Sequence, residues 1–429
     1  MADLRPATGR FYPWLILVFF WLIYFLSHAD RQVIFSVLPL IKQEMHVTDT
    51  QLGLMSSLFF WVFAILVPIG GNLGDVVNRK WLIVGALLAW STATGASAAV
   101  GGFFWLVLLR AGTATGEAFY YPAANSILSD YHGEKTRATA MAIHQTSVYT
   151  GIIVSGTLAG YIGEHYGWRT AFFWFGAVGF VVALLAARFI REPRRGQAED
   201  TAFVVTRAPL GERVRETFQS PTAVMLTLAF LGMILVNTAY LTWTPTLLNR
   251  KFHLSLAAAG FHATFWHHAG AALGVLVGGK ASDFWASHST LARPLIQMAG
   301  LFLGAPFIFL LGWSDSQPAV FAALALFGFF RGLYDSNLLA SLFEVVRPQA
   351  RATATGIMLA TAFLGGGFAP VVTGWLGEQM SLGWALSATS LCYLVSGAFI
   401  LLDCVFFFRR DAARMRALLG GTLPRVTQA

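Results

Sequence analysis

Three arginines lie inside long apolar runs: Arg31, Arg110 and Arg331. A guanidinium keeps its charge and presents a planar fork that matches a carboxylate or phosphate at two points. Three of them at membrane depth therefore suit an anionic ligand. Acids accompany them as Asp30, Glu117 and Asp335. A carboxyl group in an apolar setting serves as a proton relay or as a counter-ion. The chemistry on offer is thus anion binding tied to proton movement, rather than bond making. Glu117 follows Arg110 by seven residues, which on a helix returns to nearly the same face roughly 10 Å further along. Gly112 and Gly116 lie between them, where small residues let a helix or ligand approach closely. Asp30 and Arg31 are adjacent, point about 100° apart and serve different partners. Arg331 has Asp335 at i+4, in reach as an internal counter-ion.

Polar residues on the same and neighbouring runs extend the candidate substrate site: Tyr121, His144, Asn237, Tyr240 and Asn337 join Arg31, Arg110 and Arg331. Such hydroxyls and amides suit a hydroxylated substrate, or equally hold helices together inside a bilayer. The adjacent His267 and His268 have no i+4 or carboxylate partner, so no metal site is read there, and no cofactor is expected. No nucleophile–base pair occurs in the apolar runs, which argues against an enzyme. A receptor built on the same plan would lack the midplane acids or carry a signalling tail.

The elements that must position these residues follow from composition. Of 429 residues, 56% are hydrophobic and only 12% are charged, about half the charged fraction of a soluble domain. Twelve stretches approach the twenty residues a bilayer requires: 13–41, 50–74, 81–101, 103–128, 138–162, 168–190, 221–247, 256–279, 293–313, 318–343, 352–376 and 382–407. The first run is read as a retained span, since it is long, lacks a small-residue cleavage site and carries Asp30-Arg31. The two cysteines, Cys392 and Cys404, offer no disulfide framework. With both ends inside, 22 of the 29 Lys and Arg residues fall on the cytoplasmic side. Lys42, Arg169, Arg250 and Lys251 fall outside. This asymmetry fixes the orientation and accounts for the +8 net charge. Basic residues scattered over loops do not make a nucleic-acid surface.

The chain repeats itself. Thr136-Arg-Ala-Thr-Ala-Met-Ala-Ile143 recurs 214 residues later as Ala350-Arg-Ala-Thr-Ala-Thr-Gly-Ile357. Gly71-Asn-Leu-Gly-Asp75 recurs as Gly279-Lys-Ala-Ser-Asp283. Parallel repeats of this size are what a two-bundle carrier needs. The expected division is a six-helix bundle over 1–192, a cytoplasmic linker over 193–219, a second bundle over 220–408 and a cytoplasmic tail over 409–429.

The loop Gly71-Asn-Leu-Gly-Asp75-Val-Val-Asn78-Arg79-Lys80 resembles the signature loop of the major facilitator superfamily. Val76 replaces a basic residue, and Asn78 replaces a glycine whose left-handed backbone Asn tolerates. Asp30-Arg31, Pro39, Glu44, Arg110, Glu117, Arg137, Gly167-Trp168-Arg169 and Arg191-Glu192-Pro193 resemble the anion:cation symporter branch. They resemble the spinster-like branch nearly as well. The resemblance implies an all-α membrane protein of twelve helices in two pseudo-symmetric bundles, working by alternating access in the inner (plasma) membrane. It implies gating by Gly71, Asp75, Arg79, Arg137, Asp283 and Arg351, with Asp75 expected to pair with Arg137 or nearby helix ends and Asp283 with Arg351. It implies proton-coupled symport of a sugar-acid-like anion, or carriage of a lysolipid or sphingolipid. No proline interrupts 151–160, so the antiporter signature is missing. Asp30, Glu117 and Asp335 are the expected proton-coupling acids. The expected partners are a small anionic or amphiphilic substrate, protons and the lipid bilayer, with the chain a monomer.

Overall fold

The computed structural model describes residues 11–194, 197, 210–286, 288–347 and 350–420. Among them every regular element is helical. The first half holds α1 (Tyr12–Met45), α2 (Asp49–Val76), α3 (Arg79–Ala96), α4 (Phe103–Tyr131), α5 (Glu134–Tyr166) and α6 (Trp168–Phe189). A short α7 (Leu210–Gln219) lies in the expected linker, most of which is outside the described residues. Then come α8 (Pro221–Phe252), α9 (Leu256–Ala286), α10 (Ala292–Trp313), α11 (Gln317–Asp335) and α12 (Leu338–Val345). The chain closes with α13 (Arg351–Gly366), α14 (Ala369–Gln379), α15 (Leu382–Ala388), α16 (Ser390–Phe406) and α17 (Phe408–Gly420).

Every expected apolar stretch is helical, and the last three are each broken once. In the tenth, Asn337 donates through Nδ2 to Leu333 O and Ser336 Oγ. A side chain that competes for backbone groups in this way interrupts a helix. In the eleventh, three glycines precede Pro370, which has no N–H and crowds the carbonyl four residues back. Nine helical stretches among the described residues are long and apolar enough to cross a membrane. α4, α5 and α9 are not among them, and they carry Arg110 and Glu117, His144, and the three histidines 262, 267 and 268.

Two compact units are formed. The first contains Met1–Val47, Val62–Val204 and Ser255–Phe261; the second contains Thr48–Trp61, Val205–Leu254 and His262–Ala429. Within the first, α1 packs along α5, and α3 packs along α4 and α6. Its core joins Phe20, Ile23, Leu87, Trp90, Ala124 and Ile127, all buried. Gly116 permits the α3–α4 contact, because a Cβ there would stand 2.8 Å from both Ala86 O and Trp90 Cβ. At Gly112 the nearest atom would be Ala93 Cβ at 3.6 Å, an ordinary contact. Gly116→Ala should therefore cost about 1–3 kcal/mol by overpacking, and Gly112→Ala less than about 0.5 kcal/mol. Thermal unfolding of the two purified variants checks this; equal midpoints would contradict the packing. In the second unit α10 packs along α11 and α16, and α8 along α13 and α16. Also in that unit, Arg250 grips Asp49 with two nitrogens at 2.7 and 2.8 Å.

The loop after α2 departs from the expected backbone. Asn78 is extended (φ −69°, ψ 113°), not left-handed, and its side chain accepts from Trp81 N as the N-cap of α3. A capping amide explains the residue without any glycine-like torsion. Arg79 is buried and bridges Asp130 at 2.5 Å and Glu192 at 2.7 Å. Arg137 donates to His132 O and Ser129 O, closing the last turn of α4. The side chain of Asp75, expected to meet Arg137, lies outside the described residues. Asp283 does not pair with Arg351 as expected. It stands 3.9 Å from Arg293, while Arg351 donates to Phe343 O. An arginine near free carbonyls at a helix end is held by them and by the helix dipole.

Candidate substrate and proton site

In the first unit, α1 and α4 bring the expected charges together. Arg31 donates to Glu117 Oε2 through Nη2 at 2.7 Å and Nε at 3.2 Å. Arg31 keeps 14% of its side chain exposed and Glu117 none, so the arginine is the member of the pair that an arriving ligand reaches. The ring of Phe63 lies 4.8 Å from the Arg31 guanidinium carbon. Arg110 is buried, and its two terminal nitrogens donate to the carbonyls of Asp30 and Arg31 at 3.0 Å each. It fastens α4 to the backbone of α1 at the point where Arg31 leaves the helix. Arg110 and Glu117 thus share a face, as their spacing predicts, but they act on α1 at different atoms. Both carboxylate oxygens of Asp30 and Oε1 of Glu117 are buried with no hydrogen-bond partner among the described residues. Buried polar atoms are rarely left so.

An aromatic group borders this pair. Tyr24 stacks on His144 at 4.6 Å with 9° between planes, and on Tyr121 at 5.5 Å. The Tyr120 hydroxyl donates to Phe20 O at 2.8 Å and lies 3.1 Å from His144 Nε2. The hydroxyl has one proton, so His144 presents Nε2–H to it. His144 is buried and braced on both sides, whereas Tyr121 is 40% exposed.

The second unit has its own polar cluster. Arg331 on α11 bridges Asp335 at 3.2 Å, donates to Asn237 Oδ1 on α8 and meets His267 Nε2 on α9 at 3.1 Å. Because arginine only donates, His267 accepts through Nε2 and carries its proton on Nδ1. The Tyr240 ring lies 4.4 Å from that of His267, tilted by 39°, and its hydroxyl donates to Ala263 O. Asn337 is buried in its own helix break, bonded to Leu333 and Ser336 rather than to Arg331.

Sequence reasoning missed the roles of three residues. Tyr24 sits in an aromatic-rich run, Phe19-Phe-Trp-Leu-Ile-Tyr-Phe25, that reads as lipid-facing. His267 reads from the sequence as one soft polar residue among several in its span, or as half of a discounted metal pair, and the pairing of imidazole with guanidinium was the overlooked signal. Glu192 is 113 residues from Arg79, and no periodicity links them.

A deeper regularity joins the halves. Arg79 and Asp130 form an ion pair, as do Arg293 and Glu344. Arg137 caps Ser129 O, and Arg351 caps Phe343 O. Each residue of the first set lies 214 positions before its counterpart, the offset of the repeated 136–143 segment. The same offset carries Glu117 to Arg331, so the midspan charge on the fourth stretch is inverted on the tenth.

A family model described as Major Facilitator Superfamily matches residues 20–293 and 252–423. The chain belongs to the major facilitator superfamily. It is a transporter, not an enzyme. It is similar to protein spinster homolog 1 of Xenopus laevis, 26% identical over 444 residues, spanning 96% of this chain and 84% of that one. It is also similar to a hexuronate transporter of Bacillus subtilis (strain 168), 24% identical over 85% of this chain and 88% of the other. The crystal structure of a bacterial homolog to the human lysosomal transporter spinster, inward-facing and unoccupied, shares the fold. Its TM-score is 0.84 at 23% identity, covering 95% of this transporter and 99% of that chain. The resemblance to both branches read from the sequence is thus met by relatives in each.

Proposed function

We propose that this transporter moves a small organic anion of the sugar-acid type together with protons, by symport. The observation that carries this reading is the Arg31–Glu117 bridge, in which one reachable cation is held by one fully buried acid. A substrate carboxylate that engages Arg31 must compete with Glu117. Glu117, losing its counter-charge in an apolar surrounding, then takes up a proton, because an isolated buried carboxylate is far costlier than a neutral acid. Asp30, whose buried oxygens lack partners among the described residues, offers a second place for that proton. Substrate and proton load together, and the neutralised site can cross the rocking step of alternating access. The twelve-span plan in two bundles, 1–192 and 220–408, with both termini in the cytoplasm, is part of the proposal.

The second reading is a carrier of lipid phosphates. It is favoured by the spinster relatives, whose match extends over 96% of this chain, against 85% for the hexuronate transporter. Among the similar proteins is a sphingosine-1-phosphate transporter of Xenopus tropicalis, 25% identical over 89% of this chain. Both readings place an anion on Arg31; they differ in whether a sugar or an alkyl chain is attached to it. Uptake into proteoliposomes under an inward proton gradient separates them. The first predicts accumulation of hexuronates with no competition from sphingosine-1-phosphate; the reverse pattern would overturn it in favour of the second.

A further inference from the structure

The ion-pair frame at the basic loops is complete in the first repeat and open in the second. In the first, Arg79 holds Asp130, and Glu192 adds another anion. It accepts from Arg79 Nε at 2.7 Å and from the backbone N–H of Lys80 at 2.8 Å. In the second, Arg293 holds Glu344, and the position 214 residues after Glu192 is Phe406, which is 63% exposed. The other carboxylate near Arg293 is Asp283, 3.9 Å away with 80% of its side chain exposed. In place of a second bound carboxylate there is a cavity of about 340 Å³ lined by Arg293, Glu344, Arg351 and Arg416. Arg351 lines this cavity, and its Nε is buried with no hydrogen-bond partner among the described residues. Three guanidinium groups against one carboxylate leave this cavity positive. The adjoining cavity of about 250 Å³ is balanced, with Arg215, Arg347 and Arg414 against Glu212, Glu216 and Asp411.

We propose that the positive cavity binds the phosphate group of an anionic ligand, which gives Arg293 the second anion that the Glu192 carboxylate gives Arg79 in the first repeat. Guanidinium forks suit phosphate oxygens in pairs. The surroundings favour a lipid headgroup as the source. Phe284 and Trp285 directly precede the cavity residue Ala286 and are 69% and 53% exposed. Exposed aromatic side chains gather at headgroup level, and basic pockets on the cytoplasmic side of helix bundles take anionic headgroups. A phosphate held there would tie the start of α10 to the start of α13 and to α17.

The full-length protein in phosphatidylcholine nanodiscs, with and without phosphatidylglycerol, tests this by native mass spectrometry and thermal unfolding. Wild type should retain phosphatidylglycerol and unfold at a higher temperature in its presence. Arg351→Gln and Arg416→Gln should each weaken retention by about ten-fold, the loss of one charge-assisted contact. Arg414→Gln, in the balanced cavity, should leave it unchanged. Arg416 is exposed, so its variant carries the test if Arg351→Gln does not fold. A second arm adds inorganic phosphate to phosphatidylcholine discs. Stabilisation there that is lost in the same two variants supports the site with a soluble source. Equal retention in all three variants, with no effect of phosphate, overturns the proposal.

Discussion

Arg31→Ala should abolish specific substrate binding while the protein still reaches the membrane and folds. Arg31 is the partly exposed member of a charge pair whose acid is wholly buried. Its loss removes the fork that meets the substrate anion, and it strands Glu117 without its cation. A charge-assisted, two-point contact contributes several kcal/mol when shielded from water, so affinity should fall on the order of 100-fold or more. Arg31→Lys should recover only part of this, since an ammonium cannot grip two oxygens in one plane. Arg110→Ala should act differently. Arg110 spends both terminal nitrogens on the carbonyls of Asp30 and Arg31, so its removal should lower the thermal midpoint as well as binding. Equilibrium binding and unfolding measured on the same purified samples distinguish the two. Unaltered affinity in Arg31→Ala would remove the anion contact from the account.

Glu117→Gln should separate transport from its driving force. The amide copies the protonated acid and no longer neutralises Arg31, so a substrate anion meets no competitor. Exchange of substrate across a membrane at equal pH should persist, at equal or higher affinity. Accumulation against a gradient should collapse to equilibration, because no proton is taken up with the substrate. Asp30→Asn should have a smaller effect, since Arg110 grips the backbone carbonyl of Asp30, which the substitution leaves in place. If Glu117→Gln still concentrates substrate on a proton gradient, the coupling acid lies elsewhere, and Asp335 beside Arg331 is the next to change.

Much of this was legible in the sequence for a simple physical reason. A charge in a long apolar run is costly and so stands out, and Arg31, Glu117, Arg110 and Arg331 all did. Seven-residue spacing placed Arg110 and Glu117 on one face, and the 214-residue repeat placed Arg137 and Arg351 at equivalent helix ends. What spacing could not give was the choice of partner. Arg110 turned to backbone carbonyls, which every residue carries and no motif marks. Arg79 found Glu192 across 113 residues, and Asp283 stayed loose near Arg293 instead of meeting Arg351. Asn78 was read for its torsion and acts through its amide. The helix breaks at Asn337 and before Pro370 involve local competition for backbone groups, which apolar periodicity averages away. Tyr24 was hidden because phenyl and phenol rings look alike in a lipid-facing pattern until one of them is found against His144.

The central claim is that substrate displaces Glu117 from Arg31 and that a proton is then taken up. Reconstituted transporter with a pH-sensitive dye inside the vesicles, and no imposed gradient, tests it directly. Addition of a transported anion outside should acidify the lumen in step with uptake of labelled substrate, and Glu117→Gln vesicles should take up label without acidification. Uptake by the wild type with no change in lumenal pH would contradict the account.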